Sequence, residues 1–271
     1  MRMKLDTVFL CSSSKTVSED AYVINEKQNI YGVFDGATPV TPFQNSKGQN
    51  GAYLASRCFQ AYFTEEVRQE ESLLESVVKA NKKLLEMMKS HHISVHKKEE
   101  LWSTCVALIK LEKEKIQFAQ LGDSMIVMEN KEGKVTVLTK DTVKGIGSRA
   151  KQKREMERLR GKEKHDEDFY KKNILYSLRY NRTLANTPNG YSVANGKEEV
   201  RKYIQYGEIQ KNEVSCLLLV SDGFFHPSES LETTYQHIRL GGLERYAHKL
   251  AKLECENNLH SDDKTGILLQ F

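Results

Sequence analysis

The chain has 271 residues, of which 39% are hydrophobic and 29% are charged, and its formal net charge is +4. This balance excludes a disordered polymer and a strongly basic nucleic-acid-binding protein, and no apolar run approaches the roughly 18 residues that cross a bilayer. The first fifteen residues make a poor signal peptide, because Asp6 interrupts their short apolar stretch. Five scattered cysteines without a Cys-x-x-Cys pair predict reduced thiols in a cytoplasmic protein, and argue against a disulfide framework or a zinc ribbon.

The first half of the chain predicts strands and helices that are gathered in separate blocks. The sequence DAYVINEKQNIYGVFDG has two apolar runs joined by a polar turn, which is typical of a hairpin. Apolar residues at helical spacing follow over residues 52–63 and 73–85. Four apolar runs of strand length then occupy residues 103–139, separated by Glu, Lys, Gly and Asn, and they predict an antiparallel meander.

The second half of the chain begins with a basic segment, residues 140–182, in which fourteen Lys/Arg and seven Asp/Glu give a local charge of +7. Its charge-rich part, residues 144–172, predicts an exposed helix or a partly ordered arm. The turn-rich NTPNGYSVANG, the apolar strand CLLLVSDGFF, a helical stretch from Ser228 to about Asn258 and the final strand TGILLQF follow. Because we find no linker rich in Pro, Gly or Ser, we predict a single domain of the α+β class, residues 1–271.

Acidic residues recur where the predicted strands begin or end. They are Glu19-Asp20, Asp35 before Gly36, Asp123 before Ser124, Asp222 before Gly223, and Asp262-Asp263. Five or six carboxylates at one edge of the sheets would repel one another unless divalent cations neutralised them. All-oxygen ligands favour magnesium or manganese, and a glycine after Asp35 allows a close backbone approach and offers its carbonyl oxygen. The alternative is a set of unrelated turns, because Asp-Gly is a common turn sequence.

The order of these motifs carries a family resemblance. The series SEDAY, YGVFDGA, STCVALI, FAQLGDSMIVM, NTPNGY, LLLVSDGFF and SDDKTGILL resembles the metal-dependent type 2C Ser/Thr protein phosphatases across nearly the full chain, and their bacterial branch most closely. The resemblance implies a four-layer α/β/β/α sandwich with two central antiparallel sheets. It also implies the hydrolysis of phosphoserine and phosphothreonine in phosphoproteins.

The resemblance further implies the roles of the strand-end residues. Asp35 would bridge two manganese or magnesium ions, with the Gly36 carbonyl on one of them, and Asp222 and Asp262 would complete the direct ligands. Two cations lower the pKa of a bridging water, so that hydroxide attacks phosphorus in line while the metals take up charge on the phosphoryl oxygens. No phosphoenzyme is implied, and Asp35, Asp222 and Asp262 are the expected catalytic residues.

Other acidic residues would contribute through water or a third metal. Glu19 and Asp20 would hold metal-bound waters, and Asp123 would lie beside the centre or help to bind a third ion. The family commonly has an Asp four residues after Asp222, and here His226 occupies that position. This replacement argues against an all-carboxylate third site.

Three further positions depart from the family pattern. Lys15 stands where the family has a phosphate-binding Arg, and a lysine holds phosphate as a point charge without the bidentate fork. Ala37 stands where many members have a His proposed as general acid, so the leaving group would take its proton from water. Asp262 is followed by Asp263 where Asn is usual, which adds charge beside the expected ligand.

Alternatives of other classes remain open at this level. One is a weak or inactive phosphatase-fold binding module in signalling, and another is an esterase with Ser124 as nucleophile. The basic segment is expected to be a flap-like insertion beside the active site, where its arginines would attract anionic phosphoproteins; the alternative is a solvated helix. We expect a phosphoprotein substrate, no nucleic acid or membrane partner, and a monomer.

Overall fold

The computed structural model describes residues 3–271, and these residues contain ten strands in two five-stranded antiparallel sheets. In spatial order, the first sheet consists of β1 (Lys4–Leu10), β10 (Lys264–Gln270), β9 (Val214–Val220), β6 (Met125–Asn130) and β7 (Val135–Val137). The second sheet consists of β2 (Ala21–Asn25), β3 (Ile30–Ala37), β4 (Ser103–Leu111), β5 (Lys115–Leu121) and β8 (Gln205–Gln210). The predicted α+β class is confirmed.

Helices cover the outer face of each sheet. The helices on the second sheet are α1 (Gly51–Ala61) and α2 (Leu73–Ser90), and those on the first are α6 (Leu231–Gly241) and α7 (Leu243–Glu256). A polar side chain stabilises the start of three of them: Asn50, Ser72 and Ser230 each accept a hydrogen bond from a backbone N–H in the first turn. None of the helices described is long and apolar enough to cross a membrane.

Side-chain alternation along the strands produces the layers. In β3, Ile30 and Phe34 pack against α1 and α2, whereas Tyr31 and Val33 lie between the two sheets. Alternate residues of β9 divide in the same way between the α6–α7 layer and the space between the sheets. The predicted α/β/β/α sandwich is therefore confirmed. By the same alternation, Asp35 lies on the face of β3 that looks toward the other sheet.

The predicted meander over residues 103–139 is wrong. β4 and β5 pair with each other in the second sheet, but β6 and β7 belong to the first, where β6 pairs with β9. The chain changes sheet at Gly122, whose φ of +83° favours glycine, and a Cβ there would lie 2.2 Å from the Cys105 sulfur. Apolar alternation indicates which face of a strand is buried but does not indicate which sheet contains it.

The basic segment forms three helices, α3 (Ile146–Leu159), α4 (Glu167–Lys172) and α5 (Ile174–Thr183). At their centre the Arg154 guanidinium donates two hydrogen bonds to the Glu167 carboxylate, of 2.9 and 2.8 Å. It also lies 4.2 Å from the ring centroid of Tyr170 and 5.1 Å from that of Tyr180. The expected helix is confirmed, but the side chain of Arg154 is only 4% exposed and does not belong to an exposed basic surface.

Replacing Arg154 with alanine is expected to loosen α3, α4 and α5 while leaving both sheets intact. The variant leaves Glu167 without its bidentate partner and removes a group packed between two aromatic rings, at a local cost on the order of 2 kcal/mol. Hydrogen exchange over residues 146–183 should accelerate, and exchange in β3 and β9 should not change. The matched control is Arg160→Ala, because Arg160 lies in the same segment and is exposed. Equal exchange in both variants would contradict the structural role of Arg154.

Candidate metal centre

Three strand-end carboxylates meet at one end of the sandwich. Asp35 lies near the end of β3, Asp123 follows β5 and Asp222 follows β9, so that both sheets contribute. One carboxylate oxygen from each residue lies within 4.8 Å of the other two. The sequence-based expectation that separate strand ends gather their acids at one edge is met for these three residues.

The crowding of these acids disfavours their charged forms. Burial, together with the nearby Asp222 carboxylate, raises the pKa of Asp35 well above its usual range. Burial and Asp222 also raise the pKa of Asp123 to about 7, and burial raises the pKa of Asp20 to about 8. The site is thus a cluster of like charges withdrawn from water, which is costly unless protons or cations neutralise it.

The cluster has the donor chemistry of a hard divalent cation. Asp20 Oδ2 and Asp123 Oδ1 are buried and have no hydrogen-bond partner, so these oxygens are available as ligands. The three grouped side chains are all carboxylates, which suits magnesium or manganese better than zinc. The residues present therefore fit the ions that the sequence predicts.

Glycine at position 36 is required by a close backbone approach. A Cβ there would lie 2.5 Å from the carbonyl oxygen of Ala52 in α1 and 2.6 Å from that of Glu19. No side chain fits at these distances. The end of β3, the start of α1 and the loop before β2 therefore converge on the acidic cluster.

Lys15 is held by carboxylates on three sides. Its Nζ lies 2.8 Å from Asp262 Oδ1, 2.9 Å from Glu19 Oε2 and 3.1 Å from Asp263 Oδ2. These partners keep the pKa of Lys15 above its usual value, although burial opposes the shift. Asp262, expected as a direct ligand, thus bonds to Lys15 and lies outside the group formed by Asp35, Asp123 and Asp222.

Asp263 is a buried anchor that sequence reasoning did not identify. It accepts hydrogen bonds of 2.8 Å from the backbone N–H groups of Ser12 and Glu19, in addition to the bond from Lys15. Burial alone would raise its pKa, but these donors hold the pKa below its usual value. The Asp-Asp pair in the sequence indicates added negative charge. It does not indicate that Asp262 faces the cleft whereas Asp263 connects two loops.

The remaining expected residues lie around the cluster. His226 lines a groove of about 560 Å³ that also reaches Asp123 and Asp222, and its Nε2 lies 4.0 Å from Glu229 Oε1. Ser124 is fully buried and its hydroxyl has no hydrogen-bond partner, so the esterase alternative has no accessible nucleophile there.

The basic segment borders the acidic cluster. Leu178, Asn181 and Arg182 of α5 line a pocket of about 230 Å³ together with Asp35 and Asp222. The Arg182 guanidinium donates hydrogen bonds to the Ser103 hydroxyl and the Thr38 carbonyl, at 2.6 and 2.8 Å. Sequence reasoning missed this arginine, because nothing local distinguishes it from the other thirteen Lys/Arg of residues 140–182.

A family model described as Protein phosphatase 2C matches residues 11–261. The chain belongs to the protein phosphatase 2C family. Members of this family are metal-dependent serine/threonine protein phosphatases, and the chain is an enzyme of that class. A search of curated protein sequences finds no significant match.

Three solved phosphatase structures have the same fold as this chain. The Staphylococcus aureus serine/threonine phosphatase Stp1 is 16% identical, with 100% of this chain and 96% of that chain covered and a TM-score of 0.62. The Mycobacterium tuberculosis phosphatase PstP/Ppp is 15% identical, with coverage of 99% and 98% and a TM-score of 0.63. The catalytic domain of PstP in complex with two manganese ions is 14% identical, with coverage of 99% and 97% and a TM-score of 0.59.

The raised carboxylate pKa values predict an unusual pH dependence of the metal-free protein. Above about pH 4 the folded chain retains protons on Asp20, Asp35 and Asp123 that unfolded aspartates, with pKa values of about 3.9, have lost, and Asp123 and Asp20 release theirs near pH 7 and pH 8. The free energy of unfolding should therefore fall as pH rises through this range, by on the order of 2 kcal/mol between pH 6 and pH 8.5.

Chemical unfolding in EDTA at several pH values measures this dependence. Asp123→Asn should remove part of it, and saturating manganese should restore stability at pH 8.5, because cations replace the protons. A metal-free protein that becomes more stable between pH 6 and pH 8.5 would contradict the crowding of these acids.

Proposed function

We propose that this phosphatase hydrolyses phosphoserine and phosphothreonine in proteins with the help of two divalent cations, manganese or magnesium. The observation that supports the proposal best is the group of Asp35, Asp123 and Asp222, whose carboxylate oxygens lie within 4.8 Å of one another. The PstP catalytic domain, which has a similar fold, forms a complex with two manganese ions, and this supports the choice of metal. A third ion would use Asp123, with His226 on the wall of the adjacent groove.

The chain's own residues define how the site would operate. Asp35, with the Gly36 carbonyl, and Asp222 and Asp262 would hold the ions, and Glu19 and Asp20 would orient water around them. When bound, the two cations supply an activated water and neutralise charge on the phosphoryl group. Ala37 has no proton to donate, so the leaving alkoxide would take its proton from water.

The inactive binding module is the less favoured alternative. A fold that had lost turnover would not need to maintain three half-buried carboxylates against their mutual repulsion, and here Asp123 Oδ1 is left without a protein partner. Retention of Asp35 and Asp222 therefore favours an active site.

The substrate would be a phosphoprotein in cytoplasmic signalling, dephosphorylated by a monomeric, single-domain enzyme. The basic segment would act as a flap, but not all of its arginines are free to attract a phosphoprotein. Arg154 and Arg158 both pair with Glu167, so long-range attraction would depend on exposed groups such as Arg160 and Lys172.

Removing either central carboxylate should abolish turnover. Asp35→Asn and Asp222→Asn each delete a charge that holds the ions, and kcat/KM should fall by roughly 1000-fold or more. The measurement is manganese-dependent hydrolysis of a phosphothreonine peptide and of p-nitrophenyl phosphate. Asp168→Asn is the matched control, because Asp168 is 71% exposed and pairs only with Lys171.

Circular dichroism should show that both variants remain folded. EDTA should stop the wild-type reaction, and manganese should restore it. Turnover that continues in EDTA, or in both substituted proteins, would overturn the proposed function.

A further inference from the structure

The cation expected to bind phosphate is already fully occupied. Lys15 has three N–H donors, and three carboxylates lie within 3.1 Å of its Nζ: those of Glu19, Asp262 and Asp263. Its side chain is 22% exposed. A substrate phosphate could recruit this ammonium only by displacing one of its carboxylate partners.

A second cation lines the same pocket and has no acidic partner among residues 3–271. Arg182 donates to the Ser103 hydroxyl and to the Thr38 carbonyl, and both of these acceptors are neutral. These two bonds use two of the five N–H donors of a guanidinium. The pocket that Arg182 lines also contains Asp35, Asp222 and Asp262, where the phosphoryl group would react.

A cation in this position would offset the negative charge that a phosphate monoester meets at the acidic cluster. A phosphate monoester that approaches several carboxylates is repelled by any charge that the ions leave uncompensated. A guanidinium stays protonated at all working pH values and matches two phosphoryl oxygens with its planar fork. Ser103 in β4 and Thr38 just after β3 hold that fork in one orientation.

We propose that Arg182 binds the phosphoryl group of the substrate, and that Lys15 is a positioning residue that holds Glu19, Asp262 and Asp263. This inference rests on the proposed phosphatase function, and it assigns the substrate-phosphate contact to the helical insertion. Because Arg182 lies in the last turn of α5, phosphate binding depends on the placement of that helix.

Inorganic phosphate is the probe, because its binding can be measured without turnover. Isothermal titration calorimetry on the manganese-loaded protein should show that Arg182→Ala weakens phosphate binding by roughly 10- to 100-fold, the range expected for hydrogen bonds to a charged group. Arg182→Lys should recover part of the loss. Lys15→Ala should weaken phosphate binding less than Arg182→Ala does. Arg245→Ala, which removes an exposed arginine of α7 outside the basic segment, should bind phosphate like the wild type.

A second variant separates phosphate binding from the anchoring of α5. Ser103→Ala removes one anchor of Arg182 but keeps the guanidinium, so phosphate affinity should change only slightly. Manganese affinity and the melting temperature should stay near the wild-type values in Arg182→Ala and Ser103→Ala. If Ser103→Ala weakens phosphate binding as much as Arg182→Ala, the arginine acts only by placing the helix, and the inference is overturned.

The wild-type protein distinguishes failure of this inference from failure of the proposed function. If the wild-type protein turns over normally and Arg182→Ala binds phosphate as tightly as the wild type, the assignment of Arg182 is overturned and the phosphatase function stands. Phosphate binding that depends on Arg182, in a wild-type protein without turnover, would support the assignment and overturn the proposed function.

Discussion

Mutual repulsion among carboxylates at the end of the sandwich is the constraint to which the rest of the structure responds. Asp35, Asp123 and Asp222 are brought within 4.8 Å of one another by backbone pairing in two different sheets. Their proximity opposes folding, so stability must come from elsewhere, from the apolar layer between the sheets and the two helical layers outside them. The carboxylates at this end of the sandwich lower the stability of the fold but are needed for function, as is common at active sites.

Around this cluster, a second set of charged groups finds its hydrogen-bond partners within the protein. Lys15 and Asp263 link the loop after β1 to the loop before β10, and every donor involved has a nearby acceptor. Behind that loop, the buried ammonium of Lys264 donates to Glu254 of α7 at 2.7 Å and to the Asp262 carbonyl at 3.0 Å. The backbone of Asp262 is thus fixed from behind, while its side chain faces the cleft.

The sequence predicted the α+β class and the acidic strand ends, because element types and strand boundaries are local properties, whereas the four layers were implied by the family resemblance. It did not predict that the run over residues 103–139 divides between two sheets, since pairing partners are set by distant strands. Nor did it predict the burial of Arg154, because a charged core and a solvated helix have the same composition. The family resemblance drew attention to Lys15 as a phosphate-binding residue, but its contact with Asp262 joins residues 247 positions apart, and no local pattern reports such a contact.

The pairing of β1 with β10 has a consequence for biosynthesis. β10 lies between β1 and β9 in the first sheet, so that sheet cannot close until β10 has left the ribosome. Asp262 and Asp263 emerge immediately before it, and only then can the backbone of Ser12 find its acceptor. Such long-range closure is slow compared with local helix formation. A nascent chain therefore carries Asp35 and Asp123 without a complete catalytic centre until β10 has been synthesised, and hydrolytic capacity arises only when that strand pairs.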